Sequence, residues 1–88
     1  MITAPKPVPG FQVQALDGEV VLLHASSAVI LHLNPTSALV WQLCNGTRSV
    51  HEIILLLCDA YPESRGQIEA DVPEIIQQFV DHGALFRE

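Results

Sequence analysis

Residues 33–52 read LNPTSALVWQLCNGTRSVHE, and the fold turns on the change of period inside them. Asn34-Pro35 is a helix start: the Asn side chain can cap, and Pro35 fits the first turn, where no amide donor is missed. Leu39, Val40, Leu43 and Cys44 then share a face at helical spacing, and Asn45-Gly46 supplies the C-terminal stop. Ser49-Val50-His51-Glu52 is an S-x-x-E capping box that opens a second helix, with Ile53, Ile54, Leu56, Leu57 and Cys58 behind it.

Upstream of this stretch the period is two. Phe11, Val13 and Ala15 alternate with Gln12 and Gln14, the pattern of a half-buried strand. Asp17-Gly18 is a two-residue hairpin signal, and Glu19 to His24 follows as a second strand. Ala25-Ser26-Ser27 breaks it, and Ala28 to Leu33 makes a third. Three strands on short turns form an antiparallel meander.

Downstream, Tyr61-Pro62 ends the second helix, because a residue before proline is pushed out of the α region. Ser64 and Gln67 offer another capping box, with Ile68, Val72, Ile75, Ile76, Phe79 and Val80 at helical spacing behind. Pro73 interrupts that pattern, so the third helix is expected from about Arg65 to His82 and weak or bent near Pro73. The competing start is Asp71 as cap, with Pro73 in the first turn. His82-Gly83 closes the helix, and Ala84-Leu85-Phe86 adds a short extended tail. The fold class is α+β, a three-stranded antiparallel meander followed by three helices. Residues 1–10, with Pro5, Pro7 and Pro9, read as an extended arm ahead of one domain over 11–88.

The chain has 88 residues, room for a single small domain. It is 49% hydrophobic and 16% charged, too apolar for a disordered chain. Four Lys plus Arg against ten Asp plus Glu give a net charge of −6, which argues against a nucleic-acid partner. Mean hydropathy is positive at +0.31, and so small an interior leaves apolar surface for a partner. The longest apolar run, Ile53 to Cys58, is far below a membrane span, and the proline-studded N-terminus does not resemble a secretory signal. Cys44 and Cys58 form no CxxC and read as small buried hydrophobes in a reducing setting, the cytoplasm.

No reactive constellation emerges. His24, His32, His51 and His82 are scattered one per element, and the glycines are isolated turn or cap positions. No GxSxG elbow frames a nucleophile, so neither catalysis, a metal nor a cofactor is expected. The remaining resource is surface. The third strand, Val29, Ile30, Leu31, His32 and Leu33, has no charge and no proline to protect an edge. Asp71, Ile75, Ile76 and Phe79 lie on the third helix, where Ile75-Ile76 and Phe79-Val80 widen the apolar stripe. Side by side, that strand and that helix make a groove with a hydrogen-bonding floor and an apolar wall, suited to an extended peptide. The plainer alternative is that these residues are ordinary core or a dimer seam.

Leu33-Asn34-Pro35-Thr36-Ser37-Ala38, Val40-Trp41, Leu43, Asn45-Gly46 and Ser49-Val50-His51-Glu52-Ile53, taken in order, resemble the PqqD family. So do Asp17-Gly18-Glu19-Val20-Val21-Leu22-Leu23, Glu69-Ala70-Asp71-Val72 and the closing Phe79-Val80 with Gly83-Ala84-Leu85. The resemblance spans roughly Phe11 to Phe86. It implies a winged-helix-like fold without catalytic residues or cofactor. PqqD proteins and the related RiPP recognition elements bind the leader of a ribosomal precursor peptide and present it to a modifying enzyme. That enzyme is a radical SAM protein in pyrroloquinoline quinone biosynthesis, and lasso-peptide clusters use similar free-standing domains beside a leader peptidase. The family's leader adds antiparallel to the third strand against the third helix, here Val29–Leu33 and Asp71–Phe79. Many relatives carry a Gly and paired aromatics in the third strand, where this chain has Ala28 and Ile30-Leu31, and Pro73 is an unusual choice in the third helix. Asn34, Thr36 and Trp41, the most family-like residues, read as a cap, a first-turn residue and a core anchor. The competing functions are a winged-helix DNA-binding regulator, which the acidic segment from Asp59 onward disfavours, and a homodimerising module that uses the same strand edge.

Overall fold

Asp17 and Gly18 adopt φ values of 51° and 82°, the two positive values that a primed two-residue turn needs. They join β1 (Phe11–Leu16) to β2 (Glu19–His24) in register from Leu16↔Glu19 to Phe11↔His24. β3 (Ile30–Leu33) pairs antiparallel with β2, so the sheet order is β1-β2-β3 and β3 is an edge. Three helices follow: α1 (Pro35–Leu43), α2 (Val50–Ala60) and α3 (Arg65–Asp81). The computed structural model describes residues 4–26 and 28–86; Ser27 of the expected strand break lies outside them. The chain is thus an α+β fold, a meander followed by three helices.

Both predicted caps form. The Asn34 carboxamide oxygen accepts from the Ser37 N–H at 2.8 Å, and the Ser37 hydroxyl accepts from the Asn34 N–H at 2.9 Å. Ser49 and Glu52 do the same at the start of α2, at 3.1 and 3.0 Å. These reciprocal bonds satisfy amides that the helical ladder leaves without partners. The third expected box does not form. A 3-10 turn over Pro62–Ser64 runs straight into α3, Ser64 makes no side-chain cap, and the Gln67 amide bonds instead to both Asp71 oxygens.

α3 is assigned as one uninterrupted helix through Pro73, which excludes a start at Asp71. Pro73 lies on the exposed side, where its ring meets solvent instead of the core. Its cost is one backbone donor withheld from the Glu69 carbonyl.

Leu22, Val40, Ile53 and Val72 are fully buried, and the core also holds Trp41, Ile76, Phe79 and Leu85. The Trp41 ring sits edge-on to Phe79 at 5.3 Å and to Phe11 at 6.2 Å, tying α1 to α3 and to β1. Truncating such a ring costs on the order of 3–5 kcal/mol. Phe11 is the only residue of β1 that is even half-buried; Val13, Ala15 and Leu16 are exposed, so the alternation forecast the strand but not its burial. The helices cover the Phe11 end of the hairpin and leave its turn projecting.

The proline-rich arm is fastened to the domain. Pro5 is fully buried, and its carbonyl accepts from the Gly46 N–H at 2.9 Å. Pro7 bridges Leu85, with bonds from Val8 to Ala84 at 2.9 Å and from Phe86 to Lys6 at 3.0 Å. The tail after α3 is extended as expected, and it is held by this arm.

Two substitutions test these assignments in chemical denaturation. Asn34→Ala should destabilise the domain by about 1 kcal/mol through loss of the cap. Pro73→Ala should stabilise it by about 1–3 kcal/mol, because alanine restores a donor to an exposed helix interior.

Candidate functional site

An edge strand has one row of backbone groups turned to its neighbour and one turned away, and the register says which is which. The His24 N–H donates to the Val29 carbonyl at 3.3 Å. Antiparallel ladders alternate bonded and non-bonded pairs. Leu22↔Leu31 and Val20↔Leu33 therefore exchange bonds with β2, whereas Leu23↔Ile30 and Val21↔His32 do not. The N–H and C=O groups of Ile30 and His32 face outward from the sheet edge.

Side chains alternate with the backbone. Leu31 and Leu33 are half-buried and pack against the core, while Ile30 is 60% exposed and His32 is exposed on the other face. The His32 Nδ1 lies 3.8 Å from the Glu19 carboxylate across the sheet surface. Val29 is half-buried but precedes the assigned strand, which is two residues shorter than the Ala28–Leu33 expected. His24, at the end of β2, still bonds Val29 through its backbone, while its ring accepts from the Ser26 N–H at 3.2 Å and lies 3.2 Å from the Pro9 carbonyl.

Between β3 and α3 lies a cleft of about 320 Å³. Leu31, His32 and Leu33 form one wall; Ile75, Gln78, Phe79 and His82 form the other, and Ser37 lies at its base. Positions 75, 78, 79 and 82 share one helix face. Five of the nine expected residues thus meet in one cleft: Leu31, His32, Leu33, Ile75 and Phe79.

The other four are elsewhere. Ile30 belongs to the strand edge beside the cleft, and Val29 lies just before the strand with its carbonyl bonded to His24. Ile76 is buried in the core at the back of α3 and does not line the cleft. Asp71 lines a separate hollow of about 260 Å³ between the N-terminus of α1 and α3. Phe79 and Val80 are likewise buried, so the wide apolar stripe of α3 is spent on the interior and only Ile75 remains part-exposed.

Ser37, Gln78 and His82 were not foreseen. The last two were legible as Ile75 plus three and plus seven, the same helical face. Ser37 was not, because its place depends on how α1 crosses beneath the strand. The His82 Nδ1 lies 2.8 Å from the Gln78 carbonyl, which requires Nδ1 to carry a proton.

The cleft has little that is reactive. Among the described residues no group of three or more His, Cys, Asp or Glu could hold a metal ion. Cys44 and Cys58 are buried free thiols, and burial pushes the Cys44 thiol up to about 12, far from a thiolate at neutral pH. α3 carries Glu69, Asp71, Glu74 and Asp81 against Arg65, a field that repels phosphate. No helix among the described residues is long and apolar enough to cross a membrane.

The family model described as Coenzyme PQQ synthesis protein D (PqqD) matches residues 19–85, which include β2, β3 and all three helices. A search of curated proteins finds no match. Among solved structures, "TbiB1 in Complex with the TbiA(beta) Leader Peptide" is similar to this chain with a TM-score of 0.73 and 22% identity. The alignment covers 94% of this chain and 99% of that one. At that identity the likeness is one of fold.

The edge assignment is open to a direct check. In hydrogen exchange on the free protein, the amides of Ile30 and His32 should exchange at least about tenfold faster than those of Leu31 and Leu33. Equal protection of all four would mean that the outward row is already paired.

Proposed function

The chain belongs to the PqqD family, and on that premise we propose that it is a peptide-binding adaptor for the leader of a ribosomally made precursor. The leader adds as an antiparallel strand to β3 and seats alternate side chains in the cleft between β3 and α3. One observation carries this: the outward-facing backbone groups of Ile30 and His32 run along the open side of that cleft. An added strand would take up those donors and acceptors, and Ile75 and Phe79 would shelter its side chains from water. TbiB1, whose fold is similar, is solved in complex with a leader peptide, which supports a leader peptide as the ligand.

The adaptor works by holding, not by chemistry. It hands the captured leader to a maturation enzyme, a radical SAM protein if the product is pyrroloquinoline quinone, or another RiPP enzyme such as a leader peptidase. Glu74 is exposed on α3, and Asp71 stands beyond the end of the cleft, so a leader with basic residues suits the site.

The probe is a synthetic peptide with the leader sequence of the precursor encoded beside this gene, titrated into isotope-labelled protein. Amide shifts are expected at Val29–Leu33 and at Ile75, Gln78, Phe79 and His82. The absence of shifts at saturating peptide rejects the proposal. Ile30→Pro should weaken binding about 2- to 10-fold more than Ile30→Ala, since proline removes an outward donor that alanine keeps. The same substitution spares the ladder to β2, so its thermal midpoint should stay well above that of Leu31→Pro, which breaks the ladder.

A further inference from the structure

β3 runs out one residue before β2 does. Val20 pairs with Leu33, the last residue of β3, so Glu19 at the start of β2 has no β3 residue opposite it. The next residue, Asn34, gives its N–H to the Ser37 hydroxyl, and Pro35 begins α1. At this place lies a hollow of about 380 Å³, lined by Gly18, Glu19 and Val20 on one side and His32, Leu33 and Pro35 on the other. It shares His32 and Leu33 with the peptide cleft, so the two adjoin at the Leu33 end of the strand edge.

The lining is of two kinds. Val20, Leu33 and Pro35 are apolar, and Glu19 supplies an exposed carboxylate; no Lys or Arg is among the described lining residues. That carboxylate meets the His32 Nδ1 only at 3.8 Å, too long for a hydrogen bond. The N-terminal end of α1 would disfavour a cation nearby, but its Asn34 and Ser37 amides are already taken by the capping box. An apolar wall with one carboxylate at its rim matches a lysine or arginine, whose stem packs on apolar surface while its head seeks an anion.

Strand geometry says which leader residue arrives there. A leader antiparallel to β3 runs from the Leu33 end toward Ile30, so its N-terminal flank passes the hollow. The leader residue that exchanges bonds with His32 shares the His32 face, and the residue two before it projects on that face again. That earlier residue comes level with Glu19, where β3 has already left the sheet. Two strand spacings, about 10 Å, separate them, a gap that a long basic side chain and the glutamate span together. Resting on the strand-addition reading, we propose that this hollow is a subsite for one lysine or arginine of the leader, two residues before the one paired with His32. Glu19 is its specificity-determining residue.

The test is a double-mutant cycle by fluorescence anisotropy, with the same synthetic leader peptide and a variant whose basic residue at that position is replaced by glutamine. Glu19→Gln and the leader variant should each weaken binding about two- to fivefold, and together no more than either alone. Glu19→Lys should weaken it further, and a leader with glutamate at the position should restore affinity to within about twofold of wild type. Thermal midpoints of the Glu19 variants should match wild type, since the side chain is exposed. Additive losses, binding indifferent to Glu19→Gln, or a leader with no basic residue at that position overturns the proposal. So does coupling of the basic residue to Asp71→Asn instead, which would place the charge in the hollow beyond Pro35. Binding that Ile30→Pro weakens but Glu19→Gln does not is failure of this inference alone; absence of any leader binding is failure of the adaptor reading.

Discussion

The four-atom exchange between Asn34 and Ser37 is the constraint on which the rest of the molecule depends. Asn34 follows β3 without a spacer, and its N–H, which a longer strand would offer to a neighbour, is taken by the Ser37 hydroxyl. The strand therefore stops at Leu33, and the chain turns into α1 within one residue. The turn carries Val40 and Trp41 under the sheet, and Trp41 meets Phe79 of α3. Ser37 is the buried polar residue of this corner and lies at the base of the cleft. A stability feature and the geometry of the site are thus the same few bonds, which is why family-like residues at the corner need touch no ligand.

An exposed strand edge is a liability for any chain, and the protein limits it by shortness. β3 has four residues, of which only Ile30 and His32 turn their backbone groups outward. One side of that edge is walled by α3, across a cleft of about 320 Å³. The acidic character of α3 adds a charge barrier against other acidic chains, a second copy of this one included. The site is thus protected by dimensions and sign, not by being covered.

Local rules read most of the fold correctly where the signal was backbone chemistry. Asn34-Pro35, Ser49 with Glu52, Asp17-Gly18 and Tyr61-Pro62 each mark a boundary that the structure keeps, because each acts through bonds or torsions within a few residues. Ser64 with Gln67 had the same spelling and failed. The 3-10 turn from Pro62 left Ser64 without the extended backbone a cap requires, and Gln67 found Asp71 one turn on. Burial was harder to foresee. Val13 alternates as an inward residue yet is exposed, and Ile76 looked like spare apolar surface yet is core. What covers a side chain is decided by elements distant in sequence.

By itself, the sequence determined the order of strands and helices, the turn that pairs β1 with β2, and the two caps that bound α1 and α2. A charge-free edge and an amphipathic helix are visible in composition and period, and the resemblance to the PqqD family implied that the two face each other. Only the tertiary structure decided which residues of that pair form the cleft. It sent Ile76 inward, set Asp71 beyond the cleft, brought in Ser37, Gln78 and His82, and bound the proline arm to the tail through Pro7 and Leu85. The physical reason is range. Caps and turns act between neighbours along the chain, whereas a cleft is the gap left when two elements, each already committed to the core, fail to touch.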